Sequence, residues 1–332
     1  MAQRRKAGAT EPPRVIGVLT SGGDSPGMNA AVRAVTRRAI CKQCRVLGFK
    51  WGFRGLMRGD VVELDNRAVG GILDRGGTFL GTSRSAEFPT EAGQQRSLET
   101  LERLDVKGLV LIGGDGSLAG GHALATRGVQ VVGVPATIDN DVGGSDFSIG
   151  FDTALNTVLD AILRLRDTAS ALDRVFVVEV MGRTSGQLAL TAGVAGGADL
   201  VVIPEIPWDH EQAGCVAIEG HRRGKLHTIV VTAEGAASGE EVARLLRDHM
   251  PGMDIKVSVL GHIQRGGPPT GMDRLVASQL GAEAVDLLLD GMTDVMVGMA
   301  GTKLQTVSLS FASSQESAIN PELYQLCQVL AL

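Results

Sequence analysis

Aromatic residues are scarce: eight phenylalanines, two tryptophans and one tyrosine among 332 residues. With a net charge of −5, that scarcity argues against a nucleic-acid surface, which needs a basic face and rings for bases to stack on. Anionic small ligands stay open, because a few clustered arginines suffice locally. No apolar run approaches the length of a membrane span. The N-terminal MAQRRKAGATEPPR is basic but lacks the apolar stretch of a secretory signal, and residues 1–13 read as a disordered extension. Of the four cysteines, Cys41 and Cys44 form a lone C-x-x-C, which could be redox-active or half a zinc site. No second pair or nearby histidine completes it, and Cys215 and Cys327 are remote, so reduced thiols in a cytoplasmic protein are expected. A Walker loop, G-x-x-x-x-G-K-[ST], is also missing.

Glycine, by contrast, is abundant at 45 residues. Many glycines follow apolar runs, where bare backbone can approach a ligand closely. At this length and with 44% hydrophobic residues, two domains with large cores are expected. Residues 14–20, 106–114, 129–135, 173–182, 198–207, 227–235 and 256–261 are nearly continuous in Val, Ile and Leu, as in strands covered on both faces. Between them, residues 29–40, 151–168 and 274–291 read as amphipathic helices. In the second of these, Phe151, Leu155, Val158, Leu159, Ile162 and Leu165 recur at helical spacing. Strand, polar loop and helix in repetition predict an α/β fold of two doubly wound, Rossmann-like parallel-sheet domains. Ligands of such sheets bind beyond the strands' carboxyl ends, where this chain carries SGGDSPG, GGDGS, TIDND, MGR, AEG and GHIQRGG.

SGGDSPGMN (21–29) joins a strand to a helix. Its glycines either admit an anion to backbone N–H groups at a helix N-terminus or simply make a tight turn. GGDGSLAGG (113–121) formally fits a dinucleotide G-x-G-x-x-A through Gly114, Gly116 and Ala119. Against that, Asp115 stands between the glycines, where a bare carboxylate repels a pyrophosphate, so a magnesium–phosphate loop is preferred. VVGVPATIDNDVGGSD (131–146) ends an apolar run in Asp139, Asp141 and Asp146. Buried carboxylates are costly unless a cation, a metal or a reacting proton offsets them. Asp139 can take a proton from an attacking hydroxyl, or Asp139 and Asn140 can merely cap local backbone. Arg84, Arg174, Arg183 and Arg265 recur near strand ends, with Lys256 and His262 beside the last. Guanidinium forks suit phosphate oxygens. Glu234 could bind sugar hydroxyls or start a helix. These residues together describe phosphoryl transfer between two phosphorylated ligands, achieved by positioning and charge neutralisation.

LTSGGDSPGMNAA, RGGTFLGTSR, IGGDGS, PATIDND, VVEVMGR, AGGADLVVIPE and VLGHIQRGG, in this order, resemble the bacterial 6-phosphofructokinase family from about Val15 to about Gly291. The resemblance implies magnesium-dependent transfer from ATP to the 1-hydroxyl of fructose 6-phosphate, in subunits assembled as homotetramers. It makes Asp139 the general base, flanked on the substrate by Thr137 and Asp141, and Asp115 the magnesium acid. It puts Gly23, Phe53, Arg84, Ser85, Gly114, Gly116, Ser117 and Gly120 at the nucleotide, with Arg84 against the phosphates. Met181, Gly182, Arg183 and Glu234 match sugar contacts, and Arg174, Lys256, His262 and Arg265 match the 6-phosphate pocket. Arg174 and Lys256 would reach in from a neighbouring subunit. Asp146 has no such assignment and reads as structural.

The chain departs from the family's pattern in places. Lys256 stands where arginine is usual, which loses a bidentate fork. Pyrophosphate-dependent relatives carry aspartate at the place of Gly116 and lysine at that of Ala136, so ATP is favoured here. Arg33, Arg37, Arg166, Arg223 and Lys225 match a separate effector site for ADP or phosphoenolpyruvate. Asp60 there replaces a basic residue and Asp199 a glutamate, which predicts blunted or altered allostery. The alternatives are a pyrophosphate-dependent enzyme, a kinase of another sugar phosphate, a silent effector-binding subunit and, weakest, an oxidoreductase. A larger nucleotide-binding domain is expected over 14–149 and 262–312. A smaller substrate-binding domain is expected over 150–261 and 313–332, with the site in the cleft between the two.

Overall fold

Among the described residues, seven strands form one sheet in the order β11-β10-β5-β4-β1-β2-β3 and four form another in the order β7-β8-β6-β9. The computed structural model describes residues 14–207, 223–225, 227–250, 252–315 and 318–331. The extension 1–13 and Cys215 lie outside the described residues.

In the larger sheet, β1 (Val15–Thr20), β4 (Val106–Gly113) and β5 (Val131–Pro135) are parallel neighbours at the centre. Every residue of β1 and β5 is buried, as continuous apolar runs require of strands covered on both faces. Ile16, Val18, Val110 and Val132 pack on one face with α1 (Met28–Cys41) and α8 (Gly271–Leu289). Leu19, Leu109 and Leu111 pack on the other with α4 (Asp115–Ala125) and α9 (Leu309–Ser314). Alternation at period two thus feeds both cores, each fully buried Val or Leu contributing about 1.5–3 kcal/mol.

The sheet is not wholly parallel. β2 (Arg45–Phe49) runs antiparallel to β3 (Val61–Leu64) at one edge, and β10 (Val295–Ala300) antiparallel to β11 (Lys303–Ser308) at the other. Antiparallel edge strands are common on a parallel core. Two shorter helices, α2 (Gly52–Arg58) and α3 (Glu91–Arg103), complete this part.

The smaller sheet is parallel throughout: β7 (Leu200–Val202), β8 (His227–Ala233), β6 (Arg174–Val180) and β9 (Asp254–Val259). α5 (Phe151–Leu172) and α6 (Gln187–Gly196) cover one face, and α7 (Gly239–His249) covers the other. α7 starts with a capping box between Ser238 and Glu241. α10 (Pro321–Leu330) buries Cys327 in the core of the first face. Two expectations are corrected here. β7 is three residues of the stretch 198–207, and β9 begins at Asp254 and is an edge strand with only Ile255 buried. Among the described residues no helix is long and apolar enough to cross a membrane.

Candidate active site

β1, β4 and β5 lie side by side, so the loops beyond their carboxyl ends share one space. Ser21 N–H donates to Ile112 O at 3.0 Å, and a Cβ on Gly113 would stand 2.6 Å from Ser21 O. The two glycine-rich loops therefore touch, which only glycine at 113 permits. Beyond them opens a cleft of about 370 Å³, within the range of small-ligand sites.

Gly23, Arg84, Ser85, Gly114 and Asp115 line one part of it, with Gly116, Ser117 and Phe53. Gly114 is the N-cap of α4, and Asp115 and Gly116 are its first exposed residues. A Cβ on Gly116 would meet nothing within 4 Å. Phe53, in the first turn of α2, stacks on Phe88 with ring centroids 3.8 Å apart. Gly120 lies behind that pair rather than in the cleft lining, since a Cβ there would come within 2.6 Å of Phe53. Phe88, Pro89 and Thr184 escaped the sequence reading, whereas Ser21, Gly22 and Ser83 lay in its quoted motifs without being singled out. The available signal for Phe88 was a rare aromatic four residues beyond Arg84.

Thr137, Asp139, Asp141, Arg183 and Arg265 line the rest. Asn140 braces their loop: its Oδ1 accepts from Ser148 N–H at 2.7 Å and its Nδ2 donates to Asp146 O at 3.0 Å. Local capping is thus Asn140's work. Asp139 Oδ1 is buried without a hydrogen-bond partner among the described residues. Burial pushes the Asp139 carboxyl above the usual range; Arg265 and Arg183 pull it down, while Glu234 and Asp115 push it up. Its N–H donates to Thr137 Oγ1 at 3.2 Å, and its carbonyl accepts from Ser185 Oγ at 3.1 Å. Arg265 donates to Asp24 O at 3.1 Å and lies 2.6 Å from where a Cβ on Gly23 would stand. A side chain at position 23 would have to displace that guanidinium. Asp146 is structural: its Oδ2 accepts from Gly301 N–H at 2.6 Å.

Met181, Gly182, Glu234 and His262 fall outside the cleft lining, at the carboxyl ends of β6, β8 and β9. Met181 N–H donates to Gln264 Oε1 at 3.3 Å, and Gly182 takes φ 135°, a conformation that suits glycine. Exposed His262 sits in the 3-10 turn Gly261–Arg265.

Arg174 and Lys256 lie elsewhere. Arg174 opens β6 at its amino end, a strand of about 20 Å away from Arg183. It stands near a strand end, as read from sequence, but at the amino end, away from the loops that line the cleft. Its Nε is 2.6 Å from Asp254 Oδ2, and Lys256 Nζ is 2.8 Å from Asp254 Oδ1. Neither side chain lines the cleft of its own chain.

The effector-like residues fall into two groups. Arg33 and Arg37 stand one turn apart on α1, and burial together with Arg37 lowers the Arg33 pKa. Asp60, just before β3, is exposed. On the smaller sheet, Lys225 Nζ is 2.7 Å from Asp199 Oδ1 and also donates to Ala331 O. Arg166 donates to the carbonyls of Gly196 and Gly197, and Arg223 is exposed. Among the described residues, no hydrogen bond or ion pair joins Arg33 or Arg37 to Arg166, Asp199 or Lys225.

The family model named phosphofructokinase matches residues 15–288. The chain belongs to the phosphofructokinase family. It is 50% identical over 317 residues to the ATP-dependent 6-phosphofructokinase of Natranaerobius thermophilus, covering 96% of this chain and 99% of that one. The protein of the same name from Halalkalibacterium halodurans is 51% identical, with 96% and 99% covered. The solved Pichia pastoris phosphofructokinase in the T-state superimposes with a TM-score of 0.88 at 34% identity, covering 93% of this chain and 36% of that larger one. A pyrophosphate-dependent phosphofructokinase from Nitrosospira multiformis, at 19% identity and TM-score 0.86 over 96% and 92% of the two chains, shares the fold.

Proposed function

We infer that this phosphofructokinase-family chain is a glycolytic kinase that transfers the γ-phosphate of ATP to the 1-hydroxyl of fructose 6-phosphate. One observation carries the mechanism: a buried carboxylate oxygen of Asp139, free of hydrogen bonds, shares a cleft with two glycine-rich turns. Asp139 takes the hydroxyl proton, the sugar oxygen bonds to the γ-phosphorus, and ADP departs with the bridging oxygen's electron pair. Arg84 and Arg183 neutralise the transferring group, and Thr137 and Asp141 orient the sugar. Met181, Gly182 and Glu234 complete the sugar's surroundings.

Asp115 fits a magnesium ion. Magnesium keeps water and phosphate oxygens as ligands and needs only one or two protein carboxylates, and exposed Asp115 in the cleft lining offers one. When bound, the ion offsets phosphate charge; the proton transfer rests with Asp139.

Arg174 and Lys256, remote from their own cleft, serve the sugar 6-phosphate in a neighbouring subunit of a homotetramer, joining His262 and Arg265. Asp254 holds both cations beforehand. Lys256→Arg should lower KM for fructose 6-phosphate about three- to tenfold by adding a second hydrogen bond. Steady-state kinetics checks this, and an unchanged or higher KM refutes it.

The larger domain comprises 14–149 and 262–312, and the smaller 150–261 and 313–332. Pairing of β10 and β11 with the first sheet and packing of α10 on α6 support that division. Its place is the cytoplasm. The effector groups form one site only across subunits, with Asp60 and the Asp199–Lys225 pair weakening the grip on an ADP or phosphoenolpyruvate phosphate.

The deciding experiment is a coupled assay with fructose 6-phosphate and magnesium, offering ATP and pyrophosphate separately. Turnover with ATP alone is expected, with weak response to phosphoenolpyruvate. Pyrophosphate turnover overturns the donor, and silence with both overturns the function.

A further inference from the structure

A second buried carboxylate lies behind the cleft. Asp273, in the first turn of α8, is 2% exposed and pairs with no cation among the described residues. Its Oδ1 accepts from Gly150 N–H at 2.8 Å, and its Oδ2 accepts from Thr153 N–H at 2.8 Å and from Thr153 Oγ1. Gly150 and Thr153 begin α5, so the anion sits at the amino ends of two long helices, where their dipoles favour it. Burial raises the Asp273 pKa, and the Thr153 and Gly150 hydrogen bonds oppose that rise.

Three working segments meet at this point. The loop carrying Asp139 closes at its neck through Ile149 N–H to Pro135 O at 3.1 Å, and Gly150 follows directly. The turn after β1 docks on the same neck, with Ser25 Oγ donating to Ile149 O at 3.0 Å. A Cβ on Gly150 would stand 2.5 Å from Ser25 Cβ, and one on Gly27 would stand 2.6 Å from Ile149. The segment from Arg265 arrives through Thr270, whose N–H donates to Thr153 Oγ1 at 3.0 Å and whose hydroxyl donates to Asp152 at 2.6 Å.

We propose that Asp273 is a positioning residue for the transfer. It pins the neck of the Asp139 loop to α8 and so sets the base against the turn that faces the donor phosphates. Each ligand binds largely to one wall, whereas transfer needs both walls in register. Loss of the pin therefore slows chemistry more than it weakens binding. The proposal rests on Asp139 being the base.

Asp273→Asn keeps volume but turns an amide N–H toward a backbone N–H. Since about 1 Å of misplacement can cost a hundredfold in rate, kcat should fall about tenfold or more. Both KM values should stay within about threefold, and the acid limb of the pH–rate profile should not move, because the base itself is untouched. Should the variant fail to fold, Thr153→Val, which removes the hydroxyl's links to Asp273 and to Thr270 N–H but keeps the backbone bond from Thr153 N–H, decides by a fall in kcat of about threefold or more. A lowered Tm with wild-type kcat in the folded enzyme, or wild-type kinetics in Thr153→Val, overturns the proposal. Asp139→Asn is assayed beside them: if it keeps its turnover, the base assignment falls and this proposal with it. A dead Asp139→Asn beside Asp273→Asn of normal kcat overturns the positioning role alone.

Discussion

Asp139→Asn should lower kcat by about 10²–10⁴, the range of a lost general base, while raising Tm. The rate follows from the inability of an amide to hold the hydroxyl proton. The stability gain follows from burial, which pushes the Asp139 carboxyl above its ordinary range. A raised folded pKa means that the folded chain holds this proton more tightly than the unfolded chain does. The resulting stability is fully present below the unfolded pKa and is lost as pH rises through the folded one. At neutral pH the wild type therefore carries a desolvated anion, and asparagine removes it without changing shape. Thermal melts across pH check the sign: the gain should be largest near neutrality and shrink in acid. Nucleotide KM should hold within about twofold, because the lost interaction belongs to the transition state. Retained turnover, or a variant less stable than wild type at pH 7, contradicts the reading.

Much of this was legible in the chain because the same residues serve burial and chemistry. β1, β4, β5, β6 and β8 announce themselves as apolar runs, since a strand covered on both faces has no polar side to show. The loops at their ends stand out by contrast, with glycine and aspartate following directly on Val and Ile. The antiparallel edge pairs were not flagged, because their outer strands are short or exposed: β3 has four residues with only Leu64 buried, and no residue of β11 is buried. Strand order was hidden too. β4 lies between β1 and β5, which brings SGGDSPG, GGDGS and TIDND together, and no local pattern announces that insertion. Arg174 shows the converse limit. It precedes its apolar run, so chain direction alone puts it at the amino end of β6; what the chain does not show is its tie to Asp254, eighty residues on. Asp273 lay in an unremarked PTGMDR, because the donors it serves come from residues 150 and 153, more than a hundred positions away in the chain.

Gly116→Asp should remove ATP turnover almost entirely, by about a hundredfold or more in kcat/KM, since two unit charges 4 Å apart repel by about 4 kcal/mol at an effective dielectric of 20. Space is not the obstacle, because a Cβ at this position meets no atom within 4 Å. The new carboxylate instead stands beside exposed Asp115 at the start of α4, where the proposed function puts the nucleotide's anionic phosphates. Gly116→Ala separates the two causes. It adds the Cβ without the charge, takes no left-handed φ, and should leave ATP kinetics within about twofold. KM for fructose 6-phosphate should also hold in both variants, because the acceptor wall is untouched. Adding Ala136→Lys to Gly116→Asp puts a cation back into the cleft lining, and pyrophosphate turnover should then rise relative to ATP. Ala136 is only 1% exposed and bridges to Ile149, so the lysine must extend its stem into the cleft to keep its charge solvated. That demand predicts lower stability for the double variant than for Gly116→Asp alone, measurable as a fall in Tm. Wild-type ATP kinetics in Gly116→Asp would show that the nucleotide does not pass this position, and an equal loss in Gly116→Ala would put shape, not charge, in control of the donor.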